Sequence, residues 1–225
     1  MASISQLAHR PLARREDLGL TRAEFGLLRK LGTPQSIQAF VNAIPINHEV
    51  EGETILSVRQ VLAQRRAHCI EAAFVAACAL WIHGEPPRVM HLDCEHSDDP
   101  HVVTLFRRHG AWGAISKSNG AHLRHRDPIY RSLRELALSF FHEYFDQRGR
   151  RTLRSYSIAF DLRRIDPALW ITQNEMCDEV NSRLAGLRHY ALISPRRGVR
   201  LSRLDAFEQR AATMVEYPPP KRRKR

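Results

Sequence analysis

The apolar positions of this chain change period along its length. From Thr21 to about His83 they recur at helical spacing, from Arg88 to Ser116 they fall in short strand-like runs, and beyond Pro128 helical spacing returns. Thr21 with Glu24 three residues later forms a capping box for a short helix carrying Phe25, Leu27, Leu28 and Leu31, which Gly32 stops. Thr33-Pro34 starts a second helix with Ile37, Phe40 and Val41 inward, ending at Ala43-Ile44-Pro45-Ile46-Asn47. Ser57 caps a third, with Val58, Val61 and Leu62 apolar. A fourth spans about His68 to His83. Its stripe is Ile70, Ala73, Phe74, Ala77 and Trp81, but its other faces are Ala, Cys and Leu as well, so the pattern predicts burial nearly all round.

Gly84-Glu85-Pro86-Pro87 ends that helix. Arg88 to Cys94, His101 to Phe106 and Trp112 to Ser116 read as three short strands, with Gly110 turning the chain between the last two. Pro128 is expected to start a long helix to about Tyr144, buried through Ile129, Leu133, Leu136, Ala137, Phe140 and Phe141. Arg154 to Leu162 reads as a strand, Pro167 to Leu187 as helix in one or two pieces, and Leu201 to Val215 as a weaker helix. Residues 1–20 are expected to form a flexible basic arm, and 217–225, with three prolines and a basic run, a disordered tail.

Composition narrows the class. At 225 residues and 43% apolar the chain can bury one sizeable core. The net charge is +11, of which Lys221 to Arg225 contribute +5. Arg outnumbers Lys by 31 to 4, which also fits a GC-rich coding sequence, so charge alone is weak support for nucleic-acid binding. No apolar run is long enough to cross a bilayer, and Met1 to Arg15 holds no apolar core of a secretory signal, so the expected setting is cytoplasmic. The four cysteines, Cys69, Cys78, Cys94 and Cys177, are then expected to be free thiols.

Cys69 opens the apolar fourth helix, and His101 opens a strand about thirty residues later. An ordinary thiol titrates near about 8.5, and both a helix N-terminus and a nearby imidazolium lower that value. If the strand packs against the helix, the two residues form a thiolate–imidazolium pair suited to acyl transfer, with first-turn N–H groups available to an oxyanion. A cysteine in an Ala-rich helix and a histidine on a strand are each more often structural; the order, spacing and surroundings together carry the chemical reading.

Residues 36–116 resemble the core of the transglutaminase-like superfamily, the papain-related cysteine acyl-transfer fold. The matching pieces are Phe40-Val41-x-x-Ile44-Pro45-x-Asn47, Ser57-x-x-x-Val61-Leu62, the helix opening at Cys69, Gly84-x-Pro86-Pro87-Arg88-Val89, His101 and Trp112. The resemblance implies an α+β fold: a helical N-terminal part with a central buried helix, packed on a small antiparallel sheet, with a C-terminal α/β elaboration. It divides the chain into 21–127 as the core and 128–216 as the elaboration. It implies Cys69 as nucleophile and His101 as general base and then acid. The family's aspartate falls on Ser116, a departure. Ser116 could orient the imidazole, Asn119 or Asp127 could replace it, or the chain could be a binding-only descendant. The expected function is acyl transfer or amide hydrolysis on a peptide or protein substrate, which needs no metal or organic cofactor. The alternative is a non-catalytic module contacting nucleic acid through its basic surface and tail.

Other clusters have plainer readings. His91, Cys94 and His96 are metal-ligand types, but His91 and Cys94 would point to opposite faces of a strand. The charge-dense stretch from Asn119 to Arg131 could hold an acidic group or be a solvated loop. Phe140, Phe141, Tyr144 and Phe145 suit a core better than a base-stacking platform. The C-terminal basic run could touch nucleic acid or anionic lipid, or simply be solvated.

Overall fold

The computed structural model describes residues 13–50, 52–194, 196 and 201–220. The fold is α+β. Among the described residues four helices come first: α1 (Arg22–Arg29), α2 (Pro34–Ala43), α3 (Val58–Gln64) and α4 (Cys69–Ile82). Their starts are set by local chemistry. The side chains of Thr21, Thr33 and Ser57 each accept the N–H three residues on. Seven strands follow: β1 (Arg88–Cys94), β2 (His101–Arg108), β3 (Ala111–Ile115), β4 (Arg126–Tyr130), β5 (Leu153–Ser157), β6 (Phe160–Asp161) and β7 (His189–Ala191). They form one antiparallel sheet in the order β4-β3-β2-β1-β5-β7, with β6 also on β1. Between them lie α5 (Leu133–Ser139) and α6 (Asp178–Ala185), and α7 (Ala206–Ala212) comes last.

All of α4 from Ile70 to Ile82 is buried. One face lies on the sheet, where Thr104 Oγ1 of β2 donates to the Ala73 carbonyl at 2.8 Å. Trp170, in a single π-helical turn over Ala168–Thr172, stacks on Trp81 at 6.3 Å and tilts against Phe74 at 6.0 Å. A second apolar cluster, including Met90, Leu92, Val103 and Leu105, lies on the opposite face of the sheet under Leu136, Phe140, Phe141 and Tyr144. Both faces are thus covered, and every residue of β2 from His101 to Phe106 is buried.

The structure corrects four expectations. No helix starts at Pro128; it lies in β4, paired with β3, and the helix begins at Leu133, capped by Ser132. Pairing beside Trp112 and Ala114 overrides the local preference of proline for a first helical turn. Residues 13–20 are no loose arm: Ala13, Leu18 and Leu20 are buried in the main core, with Gly19 at φ +63 turning the chain between the two leucines. Residues 1–12 lie outside the described residues. Tyr217 is docked: its hydroxyl donates to the Asn42 carbonyl at 2.7 Å, and its backbone exchanges two hydrogen bonds with the Asn119 side chain. The basic run 221–225 lies outside the described residues. The strand expected over Arg154 to Leu162 breaks into β5 and β6, and β7 was not foreseen at all.

Candidate active site

The start of α4 is built around a buried carboxylate. His68, with extended backbone, precedes the first helical residue, and its N–H donates to Glu71 Oε2 at 2.8 Å. Glu71 is fully buried. It also accepts from the Leu56 N–H and Thr54 Oγ1, both at 2.9 Å, and from Asn47 Nδ2 at 3.2 Å. A buried charge is tolerable only when hydrogen-bonded in this way. Glu71 therefore pins the segment Asn47–Leu56 to the helix start and fixes where Cys69 stands.

Two histidines reach the Cys69 sulfur. His68 Nδ1 lies 3.9 Å from Sγ. The other ring nitrogen, Nε2, lies 2.7 Å from the Thr54 carbonyl, with Glu71 at 3.4 Å and Glu49 at 3.6 Å. A carbonyl only accepts, so Nε2 bears a proton. The second is His101, at the start of β2 and 6% exposed. Its Nε2 lies 2.8 Å from Ser116 Oγ. The Ser116 hydroxyl donates to the Leu123 carbonyl at 2.6 Å, so it accepts from His101 Nε2–H. That fixes the tautomer, and Nδ1 is the nitrogen left for the sulfur. Ser116 is held in turn by Gln38, whose side-chain amide takes the Ser116 N–H at 3.0 Å and donates to its carbonyl at 2.7 Å.

The electrostatics single out one thiol of four. Burial pushes Cys69 up, but the charge and hydrogen bond of His101, followed by those of His68, bring it well below the ordinary thiol value. Burial alone would lower His68; the hydrogen bond and charge of Cys69, with Glu71 beside it, raise it to about 10. The other thiols go the opposite way. Burial raises Cys78, raises Cys177 to about 11, and with the Asp98 charge raises Cys94 to about 12. Cys69 is also only partly buried, on a cleft of about 430 Å³. The cleft lining includes Glu49, Glu53, Asp99 and Asp178 but, among the described residues, neither Lys nor Arg.

The structure thus brings Cys69, His101 and Ser116 together. It does not bring Asn119 or Asp127 to His101: Asn119 holds Tyr217, and Asp127 lies 3.5 Å from His125. His91 and Cys94 part company, His91 meeting His189 and Cys94 donating to the Asp98 carbonyl. Among the described residues no cluster of three or more His, Cys, Asp or Glu is arranged to hold a metal ion. Much of the charge between 119 and 131 is spent on internal pairs, Arg124 on Glu216 and Arg126 on Glu143. His68 and Glu71 were not singled out from sequence. Their spacing is that of a capping box with His in place of Ser or Thr, a local signal beside the cysteine. Among the described residues no helix is long and apolar enough to cross a membrane. No protein-family model matches the chain, and no curated protein matches it significantly.

Proposed function

We propose that the protein carries out cysteine-dependent acyl transfer or amide hydrolysis on a peptide or protein, as a transglutaminase-like enzyme. The observation that carries this reading is the Cys69 thiol, at a helix start lining a cleft, drawn down by two imidazoles while the other three thiols are pushed up. The order of elements around it supports the family resemblance.

In this reading His101 Nδ1 takes the thiol proton and Cys69 Sγ attacks the substrate carbonyl. The N–H groups of Cys69 and Ile70, at the first two helical positions and with no protein acceptor among the described residues, receive the oxyanion. His101 returns the proton to the leaving amine, and a thioester remains. An amine or water then attacks, the sulfur leaves, and transfer or hydrolysis follows from the acceptor. Ser116 holds the His101 tautomer throughout. His68, with Nε2 locked onto acceptors, acts as a fixed cation beside the thiolate. The acidic lining of the cleft favours a substrate segment bearing Lys or Arg.

Limited iodoacetamide labelling with peptide mapping tests the reading. Cys69 is expected to label first and saturably at neutral pH. Labelling of Cys94 ahead of an inert Cys69 would overturn it and leave the alternative, a binding module with a basic surface that contacts nucleic acid.

A further inference from the structure

A third imidazole lines the same cleft. His91 in β1 is paired with Val102 of β2, the residue after His101, and both border the cleft. His91 is 5% exposed, and its Nδ1 lies 2.9 Å from His189 Nε2. His189 Nδ1 lies 2.7 Å from the Leu187 carbonyl. The carbonyl can only accept, so the His189 proton is on Nδ1 and its Nε2 offers a lone pair. His91 must then donate from Nδ1, which leaves His91 Nε2 as a lone pair too. That atom has no hydrogen-bond partner among the described residues, and the His91 ring lines the cleft.

We propose that His91 is the second base of the reaction, accepting at Nε2 the proton of the water or amine that attacks the Cys69 thioester. The proposal rests on the cysteine acyl-transfer reading above. In the step, the acceptor oxygen or nitrogen bonds to the thioester carbon and the carbon–sulfur bond breaks. The acceptor's proton moves to His91 Nε2 and Cys69 leaves as thiolate. His91 then gives the proton through solvent to His101, which restores the starting pair. His101 is free for the first half because a separate relay, His91 to His189 to Leu187, supplies a base for the second. Burial, with the neighbouring His189 and His101 rings, lowers the His91 pKa against Asp93 and Cys69, which favours the unprotonated ring.

The test uses His91→Asn and p-nitrophenyl acetate. Asparagine Nδ2 stands close to the position of the histidine Nδ1–H, so the variant keeps the donor to His189 and loses only the base. In the unmodified protein a burst of nitrophenol should precede steady turnover. In H91N the burst amplitude and the iodoacetamide rate at Cys69 should stay within about twofold. Steady turnover should fall about 100-fold, with acetylated Cys69 accumulating in intact mass spectra. Hydroxylamine, which attacks thioesters without a base, should restore turnover. Equal losses of alkylation and turnover would mark His91 as structural, and unchanged turnover would also overturn the proposal. No burst in the unmodified protein would overturn the parent reading instead, and this one with it. A readout independent of the variant's folding is the pH profile of thioester breakdown in the unmodified protein. It should stay level through neutral pH and fall only below the ordinary imidazole value of about 6.5; a pH-independent profile would refute the second base.

Discussion

Cys69 and Cys78 lie on one helix, and their thiols are driven in opposite directions. Burial raises both. In mid-helix, against aliphatic and aromatic neighbours and the Glu24 charge, nothing opposes it and Cys78 behaves as a small hydrophobe. At the first turn His101 and His68 act on the sulfur and the free N–H groups of the helix end work the same way, so the shift is downward despite burial. Residue type and burial therefore do not decide the direction of the shift; what lies on the sulfur does.

The comparison breaks most sharply under Cys69→Ala and Cys78→Ala. The first should lose labelling and acyl transfer to background while changing unfolding free energy by on the order of 1 kcal/mol. The second should leave Cys69 labelling within about twofold, at a similar stability cost. Peptide mapping and denaturant melts read both.

Glu71→Gln should come next. The amide would present an NH2 to groups that are already donors, from His68, Thr54 and Leu56. Denaturant melts should show a loss of about 2–3 kcal/mol, and Cys69 labelling should slow as the helix start loosens. An intact melt would mean that Glu71 is not the anchor of this turn.

pH sharpens the contrast further. Cys69 labelling should be level across neutral pH, with no step near about 8.5, whereas Cys78 should label only on unfolding. The raised His68 pKa stabilises the fold fully below about 6.5, its unfolded value, and that contribution is lost as pH rises through about 10. The lowered Cys69 pKa works in reverse: its contribution is present above the ordinary thiol value and lost as pH falls through the lowered one. Melts of His68→Asn against the unmodified protein should therefore converge on the alkaline side of about pH 10.

Ser116→Ala should have the smallest effect. It frees the His101 tautomer and leaves the Leu123 carbonyl unpartnered, so Cys69 labelling should slow about tenfold with little change in the melt. A loss as large as that of Cys69→Ala would mean that the serine does more than orient.

The parts of this site that were legible in the sequence are those with local signatures. Thr21 with Glu24, Ser57, the all-apolar run after Cys69 and the turn at Gly110 each fix an element from a few neighbouring residues. Cys69 and His101 could be placed from order and spacing, and Ser116 from the family resemblance, whose aspartate position it occupies. The Leu123 carbonyl could not, because the loop that presents it holds Leu123 at φ +55 through its N–H to Glu143 and is backed by Asn119 on Tyr217. His189 was illegible for the same reason, lying 98 residues from its partner His91 on an unforeseen three-residue strand. Pro128 misled because its preference for a first helical turn is a weak local term, and strand pairing outweighed it.

That proline has a further consequence, for what can join the sheet. The outer strand β4 reads Arg-Asp-Pro-Ile-Tyr, with a register shift against β3. A proline offers no N–H to a newcomer, and a charged, irregular strand makes a poor template for ladder growth. At the opposite margin β7 is three residues long. Neither rim invites another chain to add itself strand to strand, so edge-to-edge aggregation is suppressed at both ends. On the proposed reading, a peptide substrate would then be gripped by side chains in the cleft at the helix start, and its sequence, rather than its extended backbone, would be what is read.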